Sequence, residues 1–180
     1  MESQLIKRIR QKDKEAFKEL YNLYATQAIR TAIAITKNTA TASDVVQETF
    51  IRVYKNLDKF DKSKPFKPWF YKILINECNR VLKTSSNIVY LEDSDKEAIT
   101  GSSADTYEFQ EYEDLYAAIS DLEDTVRIPI VLKYLKGFKE EEIADILSLN
   151  INTVKSRLYK GRQKLKNAMN KLSERSELNG

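Results

Sequence analysis

The chain has no histidine, one cysteine, four glycines and three prolines among 180 residues. Without histidine there is no imidazole base, no Ser-His triad and no supply of the usual zinc ligand. The lone Cys78 rules out an internal disulfide and a multi-cysteine zinc site. Scarce Gly and Pro permit long helical runs and argue against an all-β fold; no segment shows sustained strand alternation or an internal repeat. The N-terminal stretch MESQLIKRIRQKDKEAF lacks an apolar signal core, and no run of about 18 apolar residues occurs. A soluble, cytoplasmic protein is expected. P-loop, Gly-rich phosphate turn and nucleophile elbow are missing as well. The run Glu140-Glu141-Glu142 points its carboxylates in different directions on a helix and suits a helix N-terminus better than carboxylate chemistry. Neither enzymatic activity nor a cofactor or metal is expected.

What the chain does have is charge, unevenly placed. Residues 1–83 carry 17 Lys or Arg against 9 acids, a net of +8. Residues 84–126 carry 1 against 12, a net of −11, and residues 127–180 carry 12 against 6, a net of +6. Two basic blocks flank an acidic one, an arrangement that favours two nucleic-acid-facing domains joined by a segment that avoids DNA.

The apolar spacing predicts an all-α fold of two small helical domains, residues 1–84 and 112–180, joined by an acidic, flexible linker over 85–111. Asp13 can cap a helix with Phe17, Leu20, Tyr21, Tyr24, Ala28, Ala32 and Ile35 in its core stripe. Ser43 can cap another that turns Val46, Phe50, Val53 and Leu57 inward, and Pro65 and Pro68 open a third that runs to about Lys83. Beyond the linker, Leu115, Ile119 and Leu122 belong to a helix starting near Tyr112. Pro129 is expected in the first turn of the next, which carries Val131, Leu132 and Leu135 and stops at Gly137.

The last third reads as a helix-turn-helix. Ile143, Ala144 and Leu147 share a face of its first helix, and Asn152 or Thr153 can cap the second. Val154, Leu158, Gly161 and Leu165 then recur along one face, with small Ala144 ten residues before Val154, the spacing that lets the helices cross closely. From Ile151 to Leu172 there are seven Lys or Arg and no acid, which suits a phosphate-lined major groove. Upstream, Asp44, Gln47, Glu48, Ile51 and Lys55 lie opposite a core stripe and fit either a solvated face or a partner offering cations around a small apolar spot. Trp69, Lys72, Asn76, Asn79 or Arg80, and Lys83 line one side of the Pro68 helix, after a basic loop holding Phe60 and Phe66. Rings that stack on bases, amides that read base edges and cations that track phosphates suit single-stranded DNA. Alternatively, Phe60, Phe66 and Trp69 simply close the core.

These residues resemble the extracytoplasmic-function (ECF) group of bacterial RNA polymerase sigma factors, over the span from about Ala16 to Met169. The block SDVVQETFIRVYKNL resembles the helix that holds the β′ clamp coiled coil, so the resemblance gives Asp44, Gln47 and Glu48 core polymerase binding. The block FKPWFYKILINECNRVLK resembles the element that recognises and opens the −10 region. Lys72 and Asn76 match promoter-contacting positions and Phe60 the loop that holds a flipped-out base, and Trp69 and Arg80 join them as −10 residues. The block EEEIADILSLNINTVKSRLYKGRQKL resembles the −35 helix-turn-helix, with Thr153, Lys155, Ser156, Arg157, Tyr159 and Lys160 on its DNA-facing positions. Ser148 stands where Gly is usual in the turn, and Lys160 and Gly161 where Arg and Ala are common. The resemblance implies partners: core RNA polymerase through its β′ clamp and β flap, promoter DNA, and an anti-sigma factor, often membrane-bound. No small-molecule substrate is implied. The acidic linker would occupy a positively lined polymerase channel.

Two rivals remain at this level, a response-regulator or quorum-type activator sharing the helix-turn-helix, and an all-helical interaction scaffold. The first normally carries an α/β domain, so far-ultraviolet circular dichroism separates it: a purely helical spectrum is expected, and substantial strand signal would favour the activator.

Overall fold

The computed structural model describes residues 2–88 and 113–178, and no strand occurs among them. The chain divides into two compact units, Met1–Glu97 and Ala98–Gly180.

The first unit is built from α1 (Glu2–Arg10), α2 (Lys14–Thr36), α3 (Thr39–Asn56), a 3-10 turn (Leu57–Lys59) and α4 (Phe66–Ile88). Asp13 caps α2, its Oδ1 accepting from the Ala16 amide at 3.1 Å, while Arg8 pairs with the second oxygen at 2.8 Å. The cap of α3 is Asn38, which accepts from the Thr41 amide at 2.8 Å; Ser43 is exposed inside the helix. The expected start at Ser43 is thus late by four residues, because Asn38 also sits where Lys37 turns left-handed (φ 62°) and α2 must end. Residues 85–88, placed in the linker by the sequence, continue α4. The hydroxyl of Thr84 donates back to the Arg80 carbonyl at 3.0 Å and is thus satisfied within the helix. The rest of the expected linker lies outside the described residues.

Helices α2, α3 and α4 pack on one another around an aromatic core. Leu20, Val53, Phe70, Leu74, Ile75 and Cys78 are fully enclosed. On the inner face of α4, Leu74 is buried and Ile73 only partly so. Burial pushes the Cys78 thiol up to about 12, which leaves it protonated and unreactive.

The second unit comprises α5 (Glu113–Ser120), α6 (Asp124–Ile130) running into a π turn (Val131–Leu135), α7 (Glu140–Leu147) and α8 (Ile151–Leu178). Pro129 does not open a helix. It lies inside α6, which begins at Asp124, where the amides of Val126 and Arg127 donate to the Glu123 carbonyl at 2.9 and 2.8 Å. Proline removes one rung of the helical ladder, and the wider π winding follows directly. Burial of Val126, Ile128, Ile130, Val131 and Leu132 holds the segment together across it. Arg127 is wholly enclosed, donating to the Leu122 carbonyl and to Asp124, each at 2.6 Å.

The turn between α7 and α8 closes with a left-handed residue, Ser148 (φ 53°), and with Leu149 N–H donating to Ala144 O at 2.9 Å and Ser148 N–H to Asp145 O at 3.3 Å. Those two bonds form a Schellman motif. Glu142 accepts from the Lys139 amide at 2.8 Å, which gives this member of the acidic run a capping role. The start of α8 is capped by Asn150, which accepts from the Asn152 amide at 2.8 Å, in place of Asn152 or Thr153. Val154, Leu158 and Gly161 are buried against the unit; at Gly161 a Cβ would stand 2.5 Å from Ile130 Cγ1 and 3.0 Å from Val126 Cγ1.

Two substitutions test this packing in urea or thermal unfolding. Gly161→Ala is expected to destabilise by about 1–3 kcal/mol, because the methyl must displace a core isoleucine. Ser148→Gly is expected to stabilise by about 1 kcal/mol, because glycine enters the left-handed region without the Cβ penalty.

Candidate nucleic-acid interface and partner groove

Three surfaces emerge from these helices. The first is an open pocket of about 290 Å³ where α3, the 3-10 turn and α4 meet. Trp69 forms an aromatic wall, Asn56 and Asn76 bring amides, Arg52 and Lys59 bring cations, and Ile73 and Glu77 complete the lining. Asn76, Lys72 and Arg80 are exposed and Trp69 is partly so. Phe60, on the loop expected to hold a flipped base, is 5% exposed, with its ring 5.0 Å from Trp69 and 5.6 Å from Phe66, as in the alternative in which these rings close the core. Phe60 buttresses Trp69 from behind.

The sequence reading missed two residues here. Glu77 is buried, and its carboxylate takes Arg52 Nε at 2.7 Å and Arg80 Nε at 2.8 Å. A buried carboxylate is tolerated when it is paired on both oxygens, and this one aims two guanidiniums along the pocket side. Its only sequence signal was an acid three residues before Arg80 on one helix. Arg10, on α1, donates to the Leu57 carbonyl at 3.1 and 2.7 Å and to the Phe60 carbonyl at 2.5 Å. It closes the 3-10 turn that carries Lys59 and Phe60 across 50 residues of sequence, a link no local pattern reveals.

The second surface is a groove of about 960 Å³ between α2 and α3. Phe17, Tyr21 and Ile29 line one side, and Val46, Gln47, Phe50, Ile51 and Tyr54 the other. Of the expected contact set, Gln47, Ile51 and Lys55 line the groove. Asp44 is exposed on the same helix, and Glu48 is engaged with Arg52 Nε at 2.9 Å. Exposed Tyr21, Ile51 and Tyr54 make an apolar strip of the kind that marks a partner site.

The third is the outer face of α8. Lys155, Ser156, Tyr159 and Lys160 are exposed, and Thr153 and Arg157 are half-buried at its edge. The Ser156 hydroxyl donates to the Thr153 carbonyl at 2.9 Å, which orients its lone pairs outward. Lys160 is drawn toward Glu123 at 3.4 Å, and Arg162 toward the Tyr134 hydroxyl at 3.4 Å. No described helix is long and apolar enough to cross a membrane.

Comparison with known proteins agrees with this division. Residues 20–87 match the model for Sigma-70 region 2, and residues 112–165 that for Sigma-70, region 4. The chain is 29% identical to the ECF RNA polymerase sigma factor SigW of Bacillus subtilis, over 93% of this chain and 96% of that protein. It is 32% identical to the RNA polymerase sigma factor SigV of the same organism, over 73% and 77%. Among solved structures, the sigma factor RpoE bound to the anti-sigma factor NepR from Bartonella quintana is similar with a TM-score of 0.71, at 25% identity, over 86% of this chain and 96% of that one. CnrH in complex with the cytosolic domain of CnrY shares the fold, with a TM-score of 0.69 at 21% identity, over 93% and 96%.

Trp69 is the single tryptophan of the chain, so its fluorescence reports on the pocket. Arg10→Ala is expected to free the 3-10 turn, red-shift the emission and increase quenching by iodide, with helix content unchanged. An unshifted spectrum would show that the turn holds without Arg10.

Proposed function

The chain belongs to the extracytoplasmic-function group of RNA polymerase sigma factors, and from that premise we propose how its side chains divide the work. It directs core polymerase to specific promoters and starts transcription by −35 recognition and −10 melting. In our reading it is an initiation factor that supplies no catalytic group of its own and acts in the cytoplasm beside polymerase.

The observation that carries the assignment of residues is the pocket at Trp69. It offers an aromatic wall, amides and cations within one cavity, the set needed to hold a base once it leaves the stack. Trp69 stacks on or beside the flipped base, and Asn76 reads its edge. Lys72 and Arg80 track the strand, and Phe60 acts indirectly by holding Trp69 in place. Domain 2 runs from residue 1 to the end of α4. It docks on the β′ clamp through Asp44, Gln47 and Glu48, with Ile51 and the α2–α3 groove as the apolar centre of that contact. Domain 4, residues 112–180, meets the β flap and lays α8 in the −35 major groove, with Thr153, Lys155, Ser156, Arg157, Tyr159 and Lys160 on its DNA-facing side. Lys160 offers a point charge where arginine would offer a bidentate fork, so it contacts phosphate more readily than it discriminates guanine. The acidic linker fills a cationic polymerase channel. The solved structure of RpoE named above holds that sigma factor in complex with an anti-sigma factor; by analogy an anti-sigma partner covers the surfaces of this chain until its signal arrives.

Polymerase-dependent transcription with separate binding assays tests the scheme. Lys155→Ala and Ser156→Ala are expected to lose about 1–3 kcal/mol of −35 discrimination while polymerase binding stays intact. Asp44→Ala and Gln47→Ala are expected to weaken assembly with core polymerase and leave duplex binding unchanged. Parallel loss of both activities in every variant would indicate misfolding. Tight promoter binding without polymerase, and no open complex with it, would sink the assignment.

A further inference from the structure

Glu123 begins α6 with its backbone carbonyl, yet its carboxylate reaches across to α8. Oε1 accepts from Lys164 Nζ at 2.7 Å and Oε2 from Lys160 Nζ at 3.4 Å. The two lysines stand one turn apart on the flank of α8 that also carries Thr153 and Arg157. Hydrogen bonds from Lys164 first, then Lys160, hold the carboxyl below its usual range, so it remains an anion at neutral pH. On the opposite flank, Lys155 and Lys166 make no ion pair among the described residues. The cations of the recognition helix are therefore unequal: Lys160 and Lys164 are held by Glu123, and Lys155 and Lys166 are not.

We infer that Glu123 is an intramolecular competitor of the DNA phosphates, neutralising one edge of the recognition helix until duplex DNA displaces it from Lys160 and Lys164. The inference rests on the proposed reading of α8 as the −35 helix. A phosphate oxygen makes the same charge-assisted bond to lysine that a carboxylate oxygen does, so the exchange gains little at the lysines themselves. It also leaves an uncompensated anion beside an anionic duplex. The result is a penalty on every duplex, whatever its sequence. A free chain is thereby kept off bulk DNA, while a chain tethered to the promoter through polymerase overcomes the penalty by effective concentration. All three side chains are exposed, at 57%, 54% and 41%, so the pairing adds little to the stability of the fold.

The test uses the full chain and a fluorescent duplex of mixed sequence, titrated at several salt concentrations. Glu123→Gln is expected to tighten binding about two- to fivefold at low salt and to steepen the slope of log K against log salt by about one unit. Its thermal midpoint should match that of the parent. In a background of Lys160→Gln with Lys164→Gln, the same change is expected to give a clearly smaller gain, because only the repulsion between the carboxylate and the duplex is then left to remove. Unchanged or weaker binding by Glu123→Gln would overturn the inference, as would an equal gain in the background without the two lysines, which would make the carboxylate a bare charge. Lys155→Ala distinguishes the two levels of the argument. If it weakens duplex binding while Glu123→Gln is silent, the competitor idea alone falls; if it too is silent, the DNA-reading assignment of α8 falls with it.

Discussion

A continuous file of aromatic rings holds the first unit together and reaches both of its working surfaces. It runs from Tyr54 to Phe17 (5.1 Å), Phe50 (6.3 Å) and Phe70 (5.3 Å), then through Phe66 (6.1 Å) to Trp69 and Phe60 (each 5.6 Å). Each such pair is worth about 0.5–1.5 kcal/mol beyond the area it buries. At one end Phe17, Phe50 and Tyr54 form the floor and walls of the α2–α3 groove; at the other, Trp69 walls the pocket. The α2–α3 groove, which we propose meets polymerase, and the Trp69 pocket, which we propose holds a base, are thus two ends of one packed element. Phe70, enclosed at its centre, keeps α2, α3 and α4 in a register that serves both.

The charged groups follow a second constraint. A cation that must meet DNA has to remain exposed, yet a free lysine or arginine wanders, so something must aim it. Glu77 does this from inside, with its carboxylate buried and each oxygen taken by a guanidinium. Glu123 acts from outside and in the opposite sense, holding Lys160 and Lys164 back in solvent, where the pair is weak and easily exchanged. Burial makes the first a fixture and exposure makes the second a switch in affinity. Arg10 uses the same chemistry on carbonyl oxygens and fastens the loop beneath the pocket.

Much of this was legible locally. The stripes led by Leu20 and Tyr24, by Val46 and Phe50, and by Val154 and Leu158 are buried as their spacing requires. The Asp13 cap and the turn at Ser148 also appear where the pattern placed them, the latter with a serine in a conformation that glycine adopts more easily. Other expectations missed for identifiable reasons. Several polar residues near each helix start can act as caps, and the choice of Asn38 over Ser43 and Asn150 over Asn152 depends on where the preceding helix or turn ends. Pro129 looked like a first-turn proline because proline is common there. Buried residues on both sides of it, Ile128 and Ile130, carry the helix past the interruption. For Phe60 the sequence left stacking and core closure both open, since loop aromatics do either; its neighbours Phe66 and Trp69 enclose it.

The sequence alone determined that the chain is helical, that two basic halves flank an acidic segment, and that three blocks in order mark a sigma factor. These properties reside in spacing, composition and short motifs, which act over a turn or two of helix. Only tertiary structure decided that Arg10 would fasten the loop at Phe60, that Glu77 would bind Arg52 on another helix, and that Glu123 would meet Lys164, 41 residues away. Helical period specifies which face a side chain takes on its own helix. Which face of another helix it meets is settled by how the apolar stripes dock, and the long-range polar pairs form wherever that docking leaves opposite charges within reach.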